Sequence, residues 1–167
     1  MNLEKLTRYK SWADSVFYES LRGLADGEIV KDRPMLFGNI LALLNHVYAM
    51  DVVWSNNLQG KDHNINTRNP AIDSTFDELL EKQRKINVWY EEYISQQGID
   101  QLNESVSFTF IGGGSGQMLK NEIIHHAVNH ASYHRGHIEG VMYQLSVEPP
   151  ITDLPVFLQL ENSSNYV

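Results

Sequence analysis

The stretch HHAVNHASYHRGH, residues 125–137, holds five of the chain's seven histidines. It lies inside a longer segment, residues 118–145, whose pattern predicts an α-helix. Each residue of an α-helix turns about 100°, so a residue four positions on lies on the same side, one turn along. The spacing therefore places a ridge of imidazoles on one side of this helix: His126, His130, His134 and His137.

The ridge permits three chelating pairs, because two histidines three or four positions apart on a helix can reach one cation. The spacing alone does not choose among the pairs 126/130, 130/134 and 134/137. A polar surface stripe, or interior histidines hydrogen-bonded to carbonyls, would give the same pattern. The small neighbours Ala127 and Ala131 favour metal binding over these alternatives. His125 points to nearly the opposite side of the helix and is predicted to be solvated.

A metal site with an open coordination position needs a third protein ligand from another part of the chain. The chain has no cysteine, so every ligand must offer nitrogen or oxygen. The two remaining histidines are His46 and His63. His63 lies in a polar loop, which predicts a surface position, whereas His46 lies in a second predicted helix among core-type residues. Because the facing helix supplies further imidazoles, we predict His46 as the third ligand.

Three other helices are predicted from apolar residues at three- and four-residue steps. They cover residues 3–24, residues 38–60 and residues 75–97. Glu78 follows Thr75 by three positions, which is the spacing of a capping box at a helix start. Four long helices without an internal repeat predict an all-α fold, a four-helix bundle that forms a single domain over residues 1–167.

A short excursion separates the third predicted helix from the fourth. Val106, Phe108 and Phe110 alternate with polar residues, which predicts a strand or hairpin arm, and the glycine run 112–116 predicts a turn. The glycine run lacks the lysine of a P-loop and the spacing of a dinucleotide-binding loop, so no phosphate site is predicted. In the tail, we expect three apolar residues to pack back onto the bundle: Leu154, Phe157 and Leu158.

Charge and hydropathy exclude several classes of partner. The formal net charge is −8, and the thirteen basic residues are scattered, whereas a nucleic-acid surface needs clustered lysine and arginine. No apolar run approaches the roughly 20 residues that cross a bilayer. The opening MNLEKLTRYKSWADS lacks the apolar core of a signal peptide. We therefore expect a cytoplasmic protein that binds neither nucleic acid nor membrane.

The chain resembles the DinB family, within the DinB/YfiT-like metalloprotein superfamily. Four sequence elements carry the resemblance, which covers almost the whole chain: YKSWADS, Asn45-His46, VNHASYHRGH and GVMYQLSVEPPITDLPVFL. The resemblance implies a four-helix bundle and suggests a homodimer. It also implies a zinc or nickel site whose ligands are His46, His130 and His134. His126 then lines the pocket or lies behind the ligands, and the role of His137 is open because the family often has glutamine there.

The resemblance also implies a class of reaction. Superfamily members of known activity are transferases and isomerases that use low-molecular-weight thiols. We therefore expect a metal-dependent thiol transferase that acts on a small electrophile, with the thiol as a soluble cofactor. The alternatives are a metal-dependent hydrolase and a non-enzymatic metal-binding protein of the stress response. An open three-ligand site argues against a purely structural ion, since structural zinc has four protein ligands.

The sequence identifies no catalytic residue beyond the metal ligands. Four residues are candidate proton acceptors or pocket residues: Asp51, Glu122, Tyr48 and Tyr133. Asp51 points away from the side of its helix that carries His46, and Glu122 lies too far along its helix from His130. The two tyrosines are more often packed aromatics than pocket residues. This lack of a general base counts against hydrolysis. Arg135 could orient a substrate carboxylate, but an ion pair with Glu139, four positions on, is the favoured expectation.

Overall fold

The computed structural model describes residues 2–164, over which the chain forms six helices and one hairpin. The long helices are α1 (Leu3–Leu21), α2 (Ile40–Leu58), α3 (Phe76–Ser95) and α5 (Lys120–Gln144). The shorter elements are α4 (Ile99–Leu102), β1 (Ser105–Thr109), β2 (Ser115–Leu119) and α6 (Leu154–Ser164). The predicted all-α bundle, with a hairpin between its third and fourth long helices, is confirmed.

The four long helices pack in a ring. α1 contacts α3 and α5, and α2 contacts the same two helices from the other side. A helix that is apolar on nearly every side must be buried, and 14 of the 19 residues of α2 are buried. A polar side chain on α2 therefore points into the protein rather than into water. Within the described residues, no helix combines the length and the apolar character that crossing a membrane requires.

Side-chain caps fix where three of the long helices begin. The side chains of Asn2, Asn39 and Thr75 accept backbone N–H groups of the first turns of α1, α2 and α3. Such caps satisfy donors that have no partner within the helix. The capping box predicted for Thr75 and Glu78 is present. α5 begins two residues later than expected, because the residues before it pair in β2.

The hairpin covers part of α2. Its strands pair antiparallel from Ser105 opposite Leu119 to Thr109 opposite Ser115, and the turn uses glycines at positive φ. Gly116 lies opposite Phe108, and a Cβ atom at Gly116 would come within 2.6 Å of the Phe108 ring. The buried Phe108 ring in turn contacts Trp54 of α2 edge-on, with 4.9 Å between ring centroids. The absent side chain at Gly116 thus lets the hairpin close over α2.

The tail after α5 returns to the bundle, as predicted. Phe157 is buried and packs against the rings of Tyr9 and Trp12 on α1, with centroid distances of 5.8 Å and 5.6 Å. Leu154 and Leu158 are half-buried. The helical conformation of this segment, α6, was not predicted, nor was the single turn α4.

A network of buried polar side chains joins all four long helices. Its members are Lys10, Asp14, Asp51, Gln83, Asn87 and Arg135. The Lys10 Nζ atom lies 3.0 Å from an Asp14 oxygen and 2.7 Å from an Asp51 oxygen. The prediction that Arg135 pairs with Glu139 was wrong. Arg135 is buried, and its guanidinium donates to Asp14 over 2.7 Å, because it points to the centre of the bundle.

Candidate metal centre

Three histidines from two helices meet between α2 and α5. His46 lies on α2, and His130 and His134 lie one turn apart on α5. The Nε2 atom of His130 is 3.1 Å from the Nε2 atoms of both other residues, and the three candidate ligand atoms all lie within 4.8 Å of one another. Three nitrogens at bonding distance around a tetrahedral zinc ion are about 3.3 Å apart. The cluster therefore has the dimensions of a site for one ion.

The hydrogen bond of His46 determines which of its nitrogens is free. Its Nδ1 atom lies 2.5 Å from the backbone carbonyl oxygen of Arg68. A carbonyl only accepts, so Nδ1 carries the proton and Nε2 keeps a lone pair directed at His130. Metal-bound histidines usually show this support, in which the second nitrogen donates to a carbonyl or carboxylate. The Nδ1 atoms of His130 and His134 have no hydrogen-bond partner among the described residues.

All three imidazoles are neutral at pH 7. Burial, followed by the neighbouring imidazoles of His134 and His46, lowers the pKa of His130 to about 2. Burial and the imidazoles of His46 and His137 lower the pKa of His134 to about 4. Burial also lowers the pKa of His46. The Nε2 atom of His130 lies 3.1 Å from those of His46 and His134, and the tautomer of His46 leaves the lone pair of its Nε2 atom free. These neutral nitrogens form a donor set that fits a divalent cation.

The three histidines lie on the wall of a cavity of about 370 Å³. This volume is within the range of small-molecule sites in proteins. Most of the remaining wall is apolar or aromatic, and no lining residue is acidic. The residues that complete the wall are Leu36, Phe37, Met50, Val53, Trp54, Asn57, Arg68, Phe108, Thr109, Phe110, Ile111 and His126.

The cavity has two ends of different character. At the hairpin end, Trp54 of α2 packs against Phe108, which contacts Phe110 edge-on at 5.0 Å between centroids. At the loop end, Phe37 and Arg68 flank His46. The ring centroids of Phe37 and His46 are 4.6 Å apart, and Phe37 has a φ angle of 62°, which is unusual for a bulky residue. Each end includes residues from outside the two ligand helices, the hairpin aromatics at one end and Phe37 with Arg68 at the other.

The other four histidines differ in position. His126 lines the cavity towards its hairpin end, between His130 at 5.6 Å and Trp54 at 5.1 Å, measured between ring centroids. His137 contacts the rings of His134 and Tyr133 but does not line the cavity. His125 is exposed, as predicted, and half-buried His63 accepts the Ile65 N–H within its own loop.

None of the four side chains considered as proton acceptors or pocket residues lines the cavity. Asp51 belongs to the buried network around Lys10, and Glu122 caps the start of α5 by accepting the Leu119 N–H. Tyr48 packs against the main apolar core, and Tyr133 is 60% exposed. Sequence reasoning missed Phe37, Arg68 and the hairpin aromatics as parts of the site.

Comparison with known proteins agrees with this architecture. The profile of the DinB family matches residues 1–165. The chain is also 24% identical over 162 residues to Protein DinB of Bacillus subtilis (strain 168), a match that covers 92% of each chain. The match spans all four long helices and the whole three-histidine cluster. The chain belongs to the DinB family.

Proposed function

We propose that this protein holds one divalent metal ion, zinc or nickel, through His46, His130 and His134, and transfers a thiol to small electrophiles. One observation carries the proposal: three neutral imidazole nitrogens converge on the wall of an otherwise largely apolar cavity. Imidazole suits zinc and nickel alike. Three protein ligands leave at least one coordination position for a small molecule, as in catalytic rather than structural zinc sites.

The surroundings of the cluster suit a thiol better than they suit water as the nucleophile. A divalent ion held there would favour the thiolate, the nucleophilic form of a thiol. The largely apolar wall suits the carbon skeleton of an electrophile. In the proposed reaction the sulfur forms a bond to the electrophilic carbon, the leaving group departs with its electron pair, and the thiol proton passes to water. The absence of a carboxylate from the cavity wall weakens the alternative of a hydrolase.

Metal analysis tests the ligand assignment. Protein purified without a histidine tag should contain about one zinc or nickel ion per chain, measured by inductively coupled plasma mass spectrometry. His130→Ala should lose most of this metal. His126→Ala is the matched control, because His126 lies one turn away on the same helix outside the cluster, and it should retain the metal. Full metal content in His130→Ala would overturn the assignment.

A second experiment tests the activity. Metal-loaded protein is mixed with 2-mercaptoethanol and monochlorobimane, whose chloride leaves as the carbon–sulfur bond forms, and bimane fluorescence is followed. We expect a rate above that of His46→Ala, which lacks one proposed ligand. Equal rates would favour a non-enzymatic, metal-binding role in the stress response. The homodimer implied by the family resemblance and the cytoplasmic location expected from the sequence stay predictions, which sedimentation analysis and cell fractionation would test.

A further inference from the structure

The arginine at the loop end of the cavity differs from every other arginine of the protein. The chain has six arginines. Five form ion pairs with carboxylates: Arg8, Arg22, Arg33, Arg84 and Arg135. The guanidinium of Arg68 has neither an ion pair nor a hydrogen bond within residues 2–164. Among these described residues, the polar contact of Arg68 is made by its backbone carbonyl, which accepts the His46 N–H.

The unpaired charge acts on a site that contains no counter-charge. The wall of the cavity includes Arg68 and no acidic residue, although the chain has 21 acidic residues and a net charge of −8. Arg68 lies directly beside the cluster, since it lines the same cavity and its backbone carbonyl oxygen is 2.5 Å from the Nδ1 atom of His46. The loop end is therefore a positive region in an acidic protein, which attracts anions.

The opposite end of the same cavity, the hairpin end, favours an apolar group of a ligand. Trp54, Phe108 and Phe110 present aromatic surface there. Along α2, His46 and Trp54 are eight residues apart, so the cluster and the aromatic end are separated by about 12 Å at 1.5 Å per residue. A ligand with one acidic group and one apolar group would satisfy both ends, with the metal-binding cluster between them.

We propose that Arg68 binds the carboxylate of a small ligand at the loop end of the cavity, while the apolar part of the ligand lies toward the hairpin end. The guanidinium presents a planar fork of donors that matches a carboxylate in bidentate fashion. This assignment rests on the proposed function in placing the reacting molecules in this cavity. The carboxylate can be part of the thiol or of the electrophile, because either reactant would present the same group to the guanidinium of Arg68.

The first test measures binding rather than activity. Isothermal titration calorimetry compares phenylacetate with its neutral analogue phenylacetamide, using the zinc-loaded protein. We expect phenylacetate to bind at least about tenfold more tightly, the ratio that a charged hydrogen-bonded contact supplies. Arg68→Gln should remove this preference while leaving the affinity for phenylacetamide unchanged. The matched control Arg84→Gln makes the same change of charge on the surface of α3 and should keep the preference.

Several outcomes would overturn the proposal. These are an unchanged preference in Arg68→Gln, an equal loss in Arg84→Gln, or no detectable binding of either compound to the wild type. Repeating the titration on protein stripped with a chelator separates this proposal from the proposed function. If the acid preference persists without metal, Arg68 is the anchor whether or not the metal is catalytic. If it disappears with the metal although Arg68 is present, the carboxylate binds the ion instead, and the proposal fails.

A second arm identifies which reactant carries the acid. The reaction with monochlorobimane is followed with 3-mercaptopropionate and with 2-mercaptoethanol, whose thiols differ in the acid group. A thiol-borne carboxylate predicts that Arg68→Gln slows the acidic thiol about tenfold, by the same contact energy, and leaves the neutral thiol unaffected. No effect on either thiol, together with the binding preference above, assigns the carboxylate to the electrophile, because monochlorobimane itself carries no acid group. Equal slowing of both thiols would overturn the proposal.

Discussion

Lys10 illustrates how a single residue can depend on the whole bundle. It is buried between the carboxylates of Asp14 and Asp51, on α1 and α2, and it also donates to the side-chain oxygen of Asn87 on α3. Burial opposes its charge, but the two carboxylates outweigh burial and raise the pKa of Lys10 above its usual value. The ammonium is therefore the cation that makes two buried carboxylates tolerable, together with Arg135 at Asp14.

We expect Lys10→Met to lower the free energy of unfolding by about 3–5 kcal/mol, because removing one partner leaves buried carboxylates without compensation. Urea denaturation followed by circular dichroism measures the loss. Lys85→Met is the control: the Lys85 side chain is 69% exposed and pairs with Glu81 on the surface, so its loss should stay within about 1 kcal/mol. Equal losses in the two variants would contradict a stabilising role for Lys10.

Tyr90 gives a prediction about alkaline pH. Its hydroxyl donates to the Asp51 carbonyl oxygen over 2.9 Å, and burial, followed by the charge of Asp51, raises its pKa well above 10. A raised folded-state pKa contributes stability that is complete below pH 10 and is lost as pH rises towards the folded value. Burial raises the pKa of Tyr18 in the same direction, and the carboxylates raise that of Lys10 against burial.

The free energy of unfolding should therefore fall steeply above pH 10. Each such group contributes up to about 1.4 kcal/mol per pH unit in this range. Tyr90→Phe loses a hydrogen bond worth about 1 kcal/mol at pH 7, but its curve should be shallower above pH 10 by the slope of one proton. Urea titrations at pH 7, 9, 10 and 11 measure both effects. Parallel curves for the variant and the wild type would exclude Tyr90 as a contributor.

Some residues of the candidate site could be predicted from the sequence, and others could not. The ridge on α5 follows from helical spacing, and His46 follows from its position among apolar residues on α2. Arg68 did not follow, because the path of a polar loop between helices is set by contacts that no periodicity encodes. Arg135 was misassigned, because a neighbour four positions on is the local choice, whereas Asp14 is 121 residues away in sequence.

Among the elements of the fold, the packing of the hairpin against α2 depends on one glycine, Gly116. A methyl group at Gly116 would lie 2.6 Å from the Phe108 ring, which is buried and cannot move without disturbing Trp54. We expect Gly116→Ala to cost about 1–3 kcal/mol of unfolding free energy, as overpacking usually does. It should also weaken the binding of phenylacetamide, because the displaced ring changes the hairpin end of the cavity.

Gly136→Ala is the matched control for this change. Gly136 lies in α5, where an added Cβ atom meets nothing within 4 Å. The substitution should raise stability by up to about 1 kcal/mol, because alanine favours a helix over glycine. Urea denaturation and calorimetry on both variants provide the comparison. If Gly116→Ala behaved like Gly136→Ala, the contact with Phe108 would not constrain the hairpin.

The four long helices could be predicted because α1, α3 and α5 each have an apolar stripe, whereas α2 is apolar on nearly every side. The capping box that begins α3 was also readable from the sequence. The hairpin was predicted from alternation alone, but its position against α2 was not. That position depends on the contact of Phe108 with Trp54 and on the missing side chain of Gly116. Helix α6 lacked a signal, because Pro155 and a short apolar run are equally compatible with an extended tail.

For the whole molecule, a metal ion would connect the two helices that carry its ligands. α2 and α5 are joined through residues 84 positions apart, His46 and His130. Since a ligand that binds only the folded state adds stability, zinc at 1,000 times its dissociation constant should add about 4 kcal/mol. The measurement is thermal unfolding with zinc and after chelation. His46→Ala should lose the increment, whereas His63→Ala, a histidine in the polar loop, should keep it. An increment retained in His46→Ala would place the stabilising ion elsewhere.

The hydrogen bond that orients His46 ends on the backbone of residue 68 and not on a side chain. Any amino acid provides that carbonyl, so the residue type at position 68 can change in evolution without losing the support of His46. The backbone of residue 68 thus supports the imidazole of His46, whereas its side chain makes the proposed contact with the ligand. A protein built in this way can change the ligand that it binds by one substitution while the support of His46 is kept.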